Sequence, residues 1–163
     1  MLNSHETINR RRSKKIRLGD IYIGGDSPVT VQSMTCTKTF DIEATVAQIL
    51  TLEEVGCEII RVAVPDMESA KAVSEIKRRI HIPLVADIQF DYHLALESMI
   101  QGVDGLRINP GNIGDKAKVQ QVVDLAKARQ IPIRIGVNSG SIPKDLLEKY
   151  KSPPPGAIVE SAL

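Results

Sequence analysis

The sequence predicts an α/β protein built on a parallel sheet. Three observations carry this. Short β-rich runs alternate regularly with amphipathic helical stretches. The β-rich runs are about as apolar as buried strands require, yet each carries polar residues on one face. The five runs begin at residues 29, 59, 84, 105 and 133, a spacing of about 26 residues, close to that of a (β/α)8 barrel. A doubly wound sheet also fits five such units. The spacing favours the barrel, since three more units would bring the chain near the ~250 residues typical of that fold.

The elements follow in order. Ile16–Gly25 reads as a small hairpin with Gly19-Asp20 near its turn. The strands are expected at Val29–Met34, Ile59–Val64, Leu84–Gln89, Gly105–Pro110 and Ile133–Asn138. Asp41 caps a first helix carrying Ile42, Val46, Ile49 and Leu50 at helical spacing. Asp66 caps a second, with Met67, Ala70, Val73, Ile76 and Ile80 on one face. Asp91–Ile100 and Asp115–Gln130 form the third and fourth, and Ser141 followed by Pro143 opens a fifth. A turn at Ser152–Gly156 then leads into an apolar-periodic stretch that stops at Leu163. The expectation is the first five βα units of a longer barrel protein.

Composition narrows the functional classes. The chain has 163 residues, 42% hydrophobic and 25% charged, as in an ordinary globular protein. No apolar run approaches the ~18 residues of a membrane span, and the N-terminus lacks the apolar core of a secretory signal. Two cysteines cannot build a disulfide framework, so a cytoplasmic protein is expected. Aromatics are 3% and tryptophan is absent, which argues against base-stacking surfaces for nucleic acid. Residues 10–17 (RRRSKKIR) hold six basic side chains. They read as a solvated arm spanning residues 1–15, with the barrel occupying 16–163.

Chemistry is expected on the inner faces of the strands. Alternation places Ile60, Val62 and Val64 opposite Arg61, and Ala86 and Ile88 opposite Asp87 and Gln89. Leu106 and Ile108 oppose Arg107 and Asn109. Ile133, Ile135 and Val137 face the helices, leaving Arg134, Gly136 and Asn138 inward. Val29 and Val31 oppose Thr30, Gln32 and Met34. Three arginines and one aspartate inside a barrel need a compensating partner. A structural Arg–Asp network would leave two guanidinium groups unbalanced, and an anion such as a phosphate or diphosphate balances them. The loops at Asn109–Asn112 and Gly136–Ser141 follow the fourth and fifth strands and lead into helix N-termini, where backbone N–H groups favour anions. His93 lies early in the third helix and is a candidate for the same site, whereas His5 and His81 read as surface residues. Cys36 is a candidate to line the site, and Cys57 reads as a packing residue. No His, Cys, Asp and Glu set has metal-ligand spacing.

At these residues the sequence resembles a known family. The segments VQSMTCTKTFDIEATVAQI, RVAVP, PLVADIQFDY, LRINPGNIG and IPIRIGVNSGS are similar to the N-terminal barrel of 4-hydroxy-3-methylbut-2-enyl diphosphate synthases. The resemblance implies a reductive ring opening of 2-C-methyl-D-erythritol 2,4-cyclodiphosphate in isoprenoid biosynthesis. It implies a [4Fe–4S] cluster on a separate C-terminal domain, electrons from ferredoxin or flavodoxin, and a homodimer whose cluster domains cap the partner barrels. It implies that Arg61, Arg107, Asn109, Arg134 and Asn138 bind substrate, and Ser139 and His93 are expected beside them as further substrate-binding residues. Asp87 is implied as the catalytic carboxylate, holding substrate hydroxyls or the neighbouring arginines, or moving a proton. The chain departs from the family pattern at Gln89, where histidine is usual, at His93, where a basic residue is usual, and at Cys36, where asparagine is common. Cys36 and Cys57 do not match the cluster-binding positions, so the chain holds no metal ligands of its own. A pterin-binding (β/α)8 synthase without redox chemistry and a non-catalytic diphosphate-binding fragment are the other readings. An open five-unit barrel exposes two strand edges and is expected to self-associate or to take up its missing part.

Overall fold

A computed structural model describes residues 11–109, 111–138, 140, 142, 144–150 and 155–162. Two strands, β1 (Ile16–Leu18) and β2 (Ile21–Ile23), form an antiparallel hairpin with Leu18 opposite Ile21. Gly19 sits in its two-residue turn at φ 55°, a conformation glycine adopts without steric cost. The remaining strands form one parallel five-stranded sheet in chain order: β3 (Gln32–Met34), β4 (Ile59–Ala63), β5 (Leu84–Ile88), β6 (Gly105–Ile108) and β7 (Ile133–Ile135). Helices α1 (Ile42–Glu54), α2 (Met67–Arg79), α3 (Tyr92–Ile100) and α4 (Lys116–Arg129) form the crossovers. They are followed by α5 (Lys144–Tyr150) and α6 (Pro155–Glu160).

Each crossover helix starts where a carboxylate can cap it. Asp41, Asp66, Asp91 and Asp115 accept hydrogen bonds from the backbone N–H groups of Ala44, Ser69, His93 and Lys118, satisfying donors that the helix cannot. Helix α4 ends on Gln130 at φ 56°, ψ 34°, whose N–H bonds back to the carbonyls of Ala126 and Lys127.

The main core lies between the sheet and the helices. Ile60, Val62, Leu84, Ala86, Ile88, Leu106 and Ile108 point outward against Val46, Ile49, Val73, Ile76, Ala95, Met99 and Val122. A second cluster closes the N-terminal end of the sheet's inner face, where Leu18 of the hairpin packs on Ile59 and Val85. Gly105 belongs to that contact: a β-carbon there would lie 2.7 Å from Cδ1 of Leu18. The hairpin is thus a plug, and it leaves the inner face open only at the C-terminal ends of the strands.

The sheet is strongly curled. A flat five-stranded sheet would hold its edge strands about 19 Å apart. Here Nη1 of Arg134 on β7 reaches Oε1 of Gln32 on β3, a long contact of 3.4 Å. The barrel is therefore open but partial, as the strand spacing predicts.

Several expected boundaries need correction. The first strand covers Gln32–Met34 rather than Val29–Met34. At Val31 the ladder is irregular, with its N–H on the Glu58 carboxylate and its carbonyl shared by the N–H groups of Glu58 and Ile59. Val29 and Val31 are 96% and 58% exposed rather than packed under helices, because β3 is an edge. The second and third strands each end one residue early, and the fourth ends at Ile108. The fifth strand stops at Ile135 rather than Asn138, with one further bond from the N–H of Gly136 to the carbonyl of Ile108. Ile135 is exposed rather than covered by helices, since β7 is the other edge. Pro155 and Gly156 start α6 instead of ending the preceding turn, as suits proline in a first helical turn. Ser141 and Pro143 lie outside the described residues, as do residues 1–10 of the basic arm. Residues 11–15 are exposed and in no regular element, with Lys15 on Asp26 at 3.0 Å.

Candidate functional site

Register determines which inner residues meet. Ala63 of β4, Asp87 of β5, Arg107 of β6 and Arg134 of β7 stand side by side in one row of the sheet. Met34 and Arg61 pair in the row below, next to Val85 and Gly105. The two arginines of β4 and β6 therefore flank the carboxylate of β5, one diagonally and one directly.

Asp87 is buried, its side chain 7% exposed, and both of its oxygens are engaged. Oδ1 accepts from Nη1 of Arg107 at 3.1 Å, and Oδ2 lies 3.6 Å from Nε of Arg61. Arg61 also places Nε 3.3 Å from the sulfur of Met34. Arg134 is exposed and reaches Gln32 alone among the described residues. Three of these four charges are positive, and one carboxylate balances only one of them. Each of the Arg61 and Arg107 side chains is about a quarter exposed, at 24% and 23%, so guanidinium edges remain open to the lumen. An unpaired excess of positive charge held in a concave, partly desolvated face attracts an anion.

Glycine supports this arrangement. Gly136 follows β7 on the same inner face, and the Arg107 guanidinium lies across it. A β-carbon there would meet Nε and Nη2 of Arg107 at 2.4 Å.

The two loops above β6 and β7 share one device. Asn109 is buried and accepts from the N–H of Gly111 at 3.2 Å. Asn138 accepts from the N–H of Gly140 at 3.0 Å. Both are Asx turns, which bend the chain beyond the C-terminal ends of β6 and β7. Asn138 is exposed, and Ser139 lies outside the described residues.

The structure does not bring His93 into the arginine cluster. Its ring is exposed at the start of α3, with Nδ1 2.8 Å from Oδ1 of Asp91 and its plane beside Tyr92. The backbone N–H of His93 is the largest cause holding the Asp91 carboxyl below its usual range. Gln89 is exposed beyond the end of β5. His81 is exposed and sits on Glu53, as a surface residue. Cys36 is exposed above β3 and held by Gln48, whose amide donates to its sulfur and accepts from its N–H. Cys57 is buried at the opposite end, its thiol on the carbonyl of Ile59.

A cluster of iron and sulfur does not fit these donors. Among the described residues no three His, Cys, Asp or Glu side chains group as metal ligands. The two cysteines sit at opposite ends of the sheet, before β4 and after β3.

Sequence reasoning missed three site residues. Gln32, Met34 and Gly136 each contact one arginine. Alternation places all three on the inner face, but it does not reveal how far an arginine reaches along the row.

Residues 13–163 match the family described as the GcpE TIM-barrel domain. The chain belongs to the GcpE family. GcpE relatives with the name 4-hydroxy-3-methylbut-2-en-1-yl diphosphate synthase (flavodoxin) are similar along nearly all of it. The protein from Caldicellulosiruptor saccharolyticus is 67% identical over 151 residues, covering 93% of this chain and 44% of that protein. Those from Histophilus somni and Lysinibacillus sphaericus are 60% and 58% identical, covering 96% and 97% of this chain and 43% of each. The chain thus spans less than half the length of these GcpE relatives. Among solved structures, dihydropteroate synthase from Xanthomonas albilineans matches 91% of the chain and 62% of its own, with a TM-score of 0.58 and 12% identity. That from Yersinia pestis matches with a TM-score of 0.55, also at 12% identity. The likeness to these pterin enzymes is one of fold alone.

Proposed function

We propose that this GcpE chain, over residues 16–163, is the diphosphate-binding part of an enzyme that reduces 2-C-methyl-D-erythritol 2,4-cyclodiphosphate to 4-hydroxy-3-methylbut-2-enyl diphosphate. The observation that carries the proposal is the convergence of Arg61 and Arg107 on one buried carboxylate, with Arg134 beside them in the same lumen. A cyclic diphosphate supplies the anion that this excess of guanidinium lacks. Planar guanidinium forks bind phosphoryl oxygens in pairs, and the Asx turns at Asn109 and Asn138 bend the chain beyond the same ends of β6 and β7. The names of the relatives agree with this product.

In the reaction a ring C–O bond to phosphate opens, two electrons and two protons enter, and one hydroxyl leaves as water. The residues of this chain bind and orient. Arg61, Arg107 and Arg134 neutralise the diphosphate, which becomes the more exposed charge as the ring opens, and fix the carbon skeleton relative to the barrel mouth. Asp87 sets the spacing of Arg61 and Arg107, and its carboxylate is the group of this cluster able to exchange a proton with substrate. Asn109, Asn138 and Ser139 are proposed to complete the binding set from the loops, and His93 from the first turn of α3.

Reduced flavodoxin is the proposed electron donor, following the names of the relatives. A [4Fe–4S] cluster would supply the one-electron steps from ligands outside the residues described here. A partner subunit's domain over the open mouth would exclude water. No described helix is long and apolar enough to cross a membrane; the cytoplasm is the proposed compartment.

Turnover of the cyclodiphosphate by the enzyme carrying this chain, with reduced flavodoxin, tests the proposal. Arg61→Ala and Arg107→Ala are expected to lower kcat/KM at least about 100-fold, the loss of charge-assisted contacts to a phosphoryl group. Unchanged kcat/KM in both would contradict it.

A further inference from the structure

We infer that Gly136 is a positioning residue for Arg107: its lack of a side chain is what lets the guanidinium lie across β7 and face both Asp87 and the proposed diphosphate. This rests on the reading of the lumen given above. Gly136 is not among the glycines at positive φ, so its backbone does not require glycine. Its N–H donates to the carbonyl of Ile108 at 2.8 Å, which continues the β6–β7 pairing beyond Ile135. Residues of ordinary conformation in such a place are usually free to carry a side chain.

Space forbids it here. A β-carbon at 136 would lie 2.4 Å from both Nε and Nη2 of Arg107 and 2.7 Å from Cζ. All three neighbours belong to one guanidinium group. The contrast with Gly105 is instructive, where the nearest atom is Cδ1 of Leu18 in a closed apolar cluster. An alanine at 105 would meet a packed core. An alanine at 136 would meet the far end of a flexible, partly exposed side chain, which can swing away at little cost to the fold.

The consequence falls on the charge arrangement. Displacing the guanidinium breaks the 3.1 Å bond from Nη1 to Asp87 and leaves that carboxylate to Arg61, 3.6 Å away. It also moves the guanidinium edge out of the row shared with Arg134. Gly136 therefore acts through Arg107 without touching the anion.

The test uses the 163-residue chain labelled with 15N-arginine, and inorganic pyrophosphate as the probe. The Nε–Hε signal of Arg107, identified by its loss in Arg107→Lys, is expected to shift in Gly136→Ala while Tm stays within about 3 °C. Pyrophosphate affinity is expected to fall about 10- to 100-fold, as for one lost charge-assisted hydrogen bond. Placed in an Arg107→Ala background, Gly136→Ala should cause no further loss, because the group it displaces is gone. An unmoved Arg107 signal, or an equal loss of affinity in both backgrounds, overturns the inference. Should Gly136→Ala fail to fold, recovery of folding in the double variant supports the inference and continued failure overturns it. Absence of pyrophosphate binding by the parent chain would count against the diphosphate reading, while the Arg107 signal would still decide the role of Gly136.

Discussion

At the residue scale the proposed function rests on an imbalance of charge. Asp87 is buried between Arg61 and Arg107, and Arg134 has an amide rather than a carboxylate for its partner. Removing the carboxylate and removing an arginine should therefore differ in kind. Asp87→Asn leaves two guanidinium groups facing each other without an anion, and is expected to cost about 2–4 kcal/mol of stability in urea unfolding. Bound pyrophosphate should restore much of that loss, since it supplies the missing charge. Arg134→Ala should leave stability unchanged to within about 0.5 kcal/mol, because its bond to Gln32 is long and exposed, yet weaken anion binding. Equal stabilities for these two variants would refute the picture of one carboxylate compensating the cluster. The identities of the inner residues are legible in the sequence, because side chains alternate along a strand. The diagonal contact from Arg61 to Asp87, and the seat of Arg107 on Gly136, are not. Both depend on how far long side chains reach across rows, which the period of two does not contain.

At the scale of the element, the helices explain themselves and the strand ends do not. Four aspartates lie where each crossover helix must begin, and most of the periodic apolar residues beside them reach the core, although Met67, in the first turn of α2, is exposed. That made the helices readable almost to the residue. The edge strands are shorter than their composition suggests, because Val29, Val31 and Ile135 have the composition of buried strand but no neighbour on their far side. Pairing, unlike propensity, is not local. The caps also give a pH dependence. Hydrogen bonds from the backbone N–H groups of Ser69 and His93 are the largest causes holding the Asp66 and Asp91 carboxyls below their ordinary range. A depressed folded value means that this stability is fully present above the unfolded carboxylate range, near pH 4, and is lost as pH falls through the folded values. Asp66→Asn, which keeps a capping oxygen that does not titrate, should flatten the acid limb of a Tm-against-pH curve. An acid limb as steep as the parent's would rule out the cap as its source. At the other end of α4, Gln130 sits in the left-handed region at φ 56°. Gln130→Gly is expected to stabilise the protein by about 0.5–1 kcal/mol in chemical unfolding. A destabilised variant would show that the glutamine side chain has a role there.

At the scale of the whole molecule, the fold divides its labour by end. The hairpin plugs the N-terminal end of the inner face through Leu18, and Gly105 is bare to receive it. The C-terminal end carries the arginines and the two Asx turns, the end at which barrels of this kind place their chemistry. Both edges of the five-stranded sheet are unpaired among the described residues, so light scattering of the chain expressed alone should report self-association, and a clean monomer would contradict that expectation. The family follows from the whole sequence, whereas the reading of the site follows from the lumen. The most direct test of that reading is calorimetric titration of the chain with inorganic pyrophosphate, at two salt concentrations. One site is expected, weakened about 10- to 100-fold by Arg61→Ala or Arg107→Ala and weakened further by added salt. No saturable binding, or binding indifferent to both arginines, would contradict it.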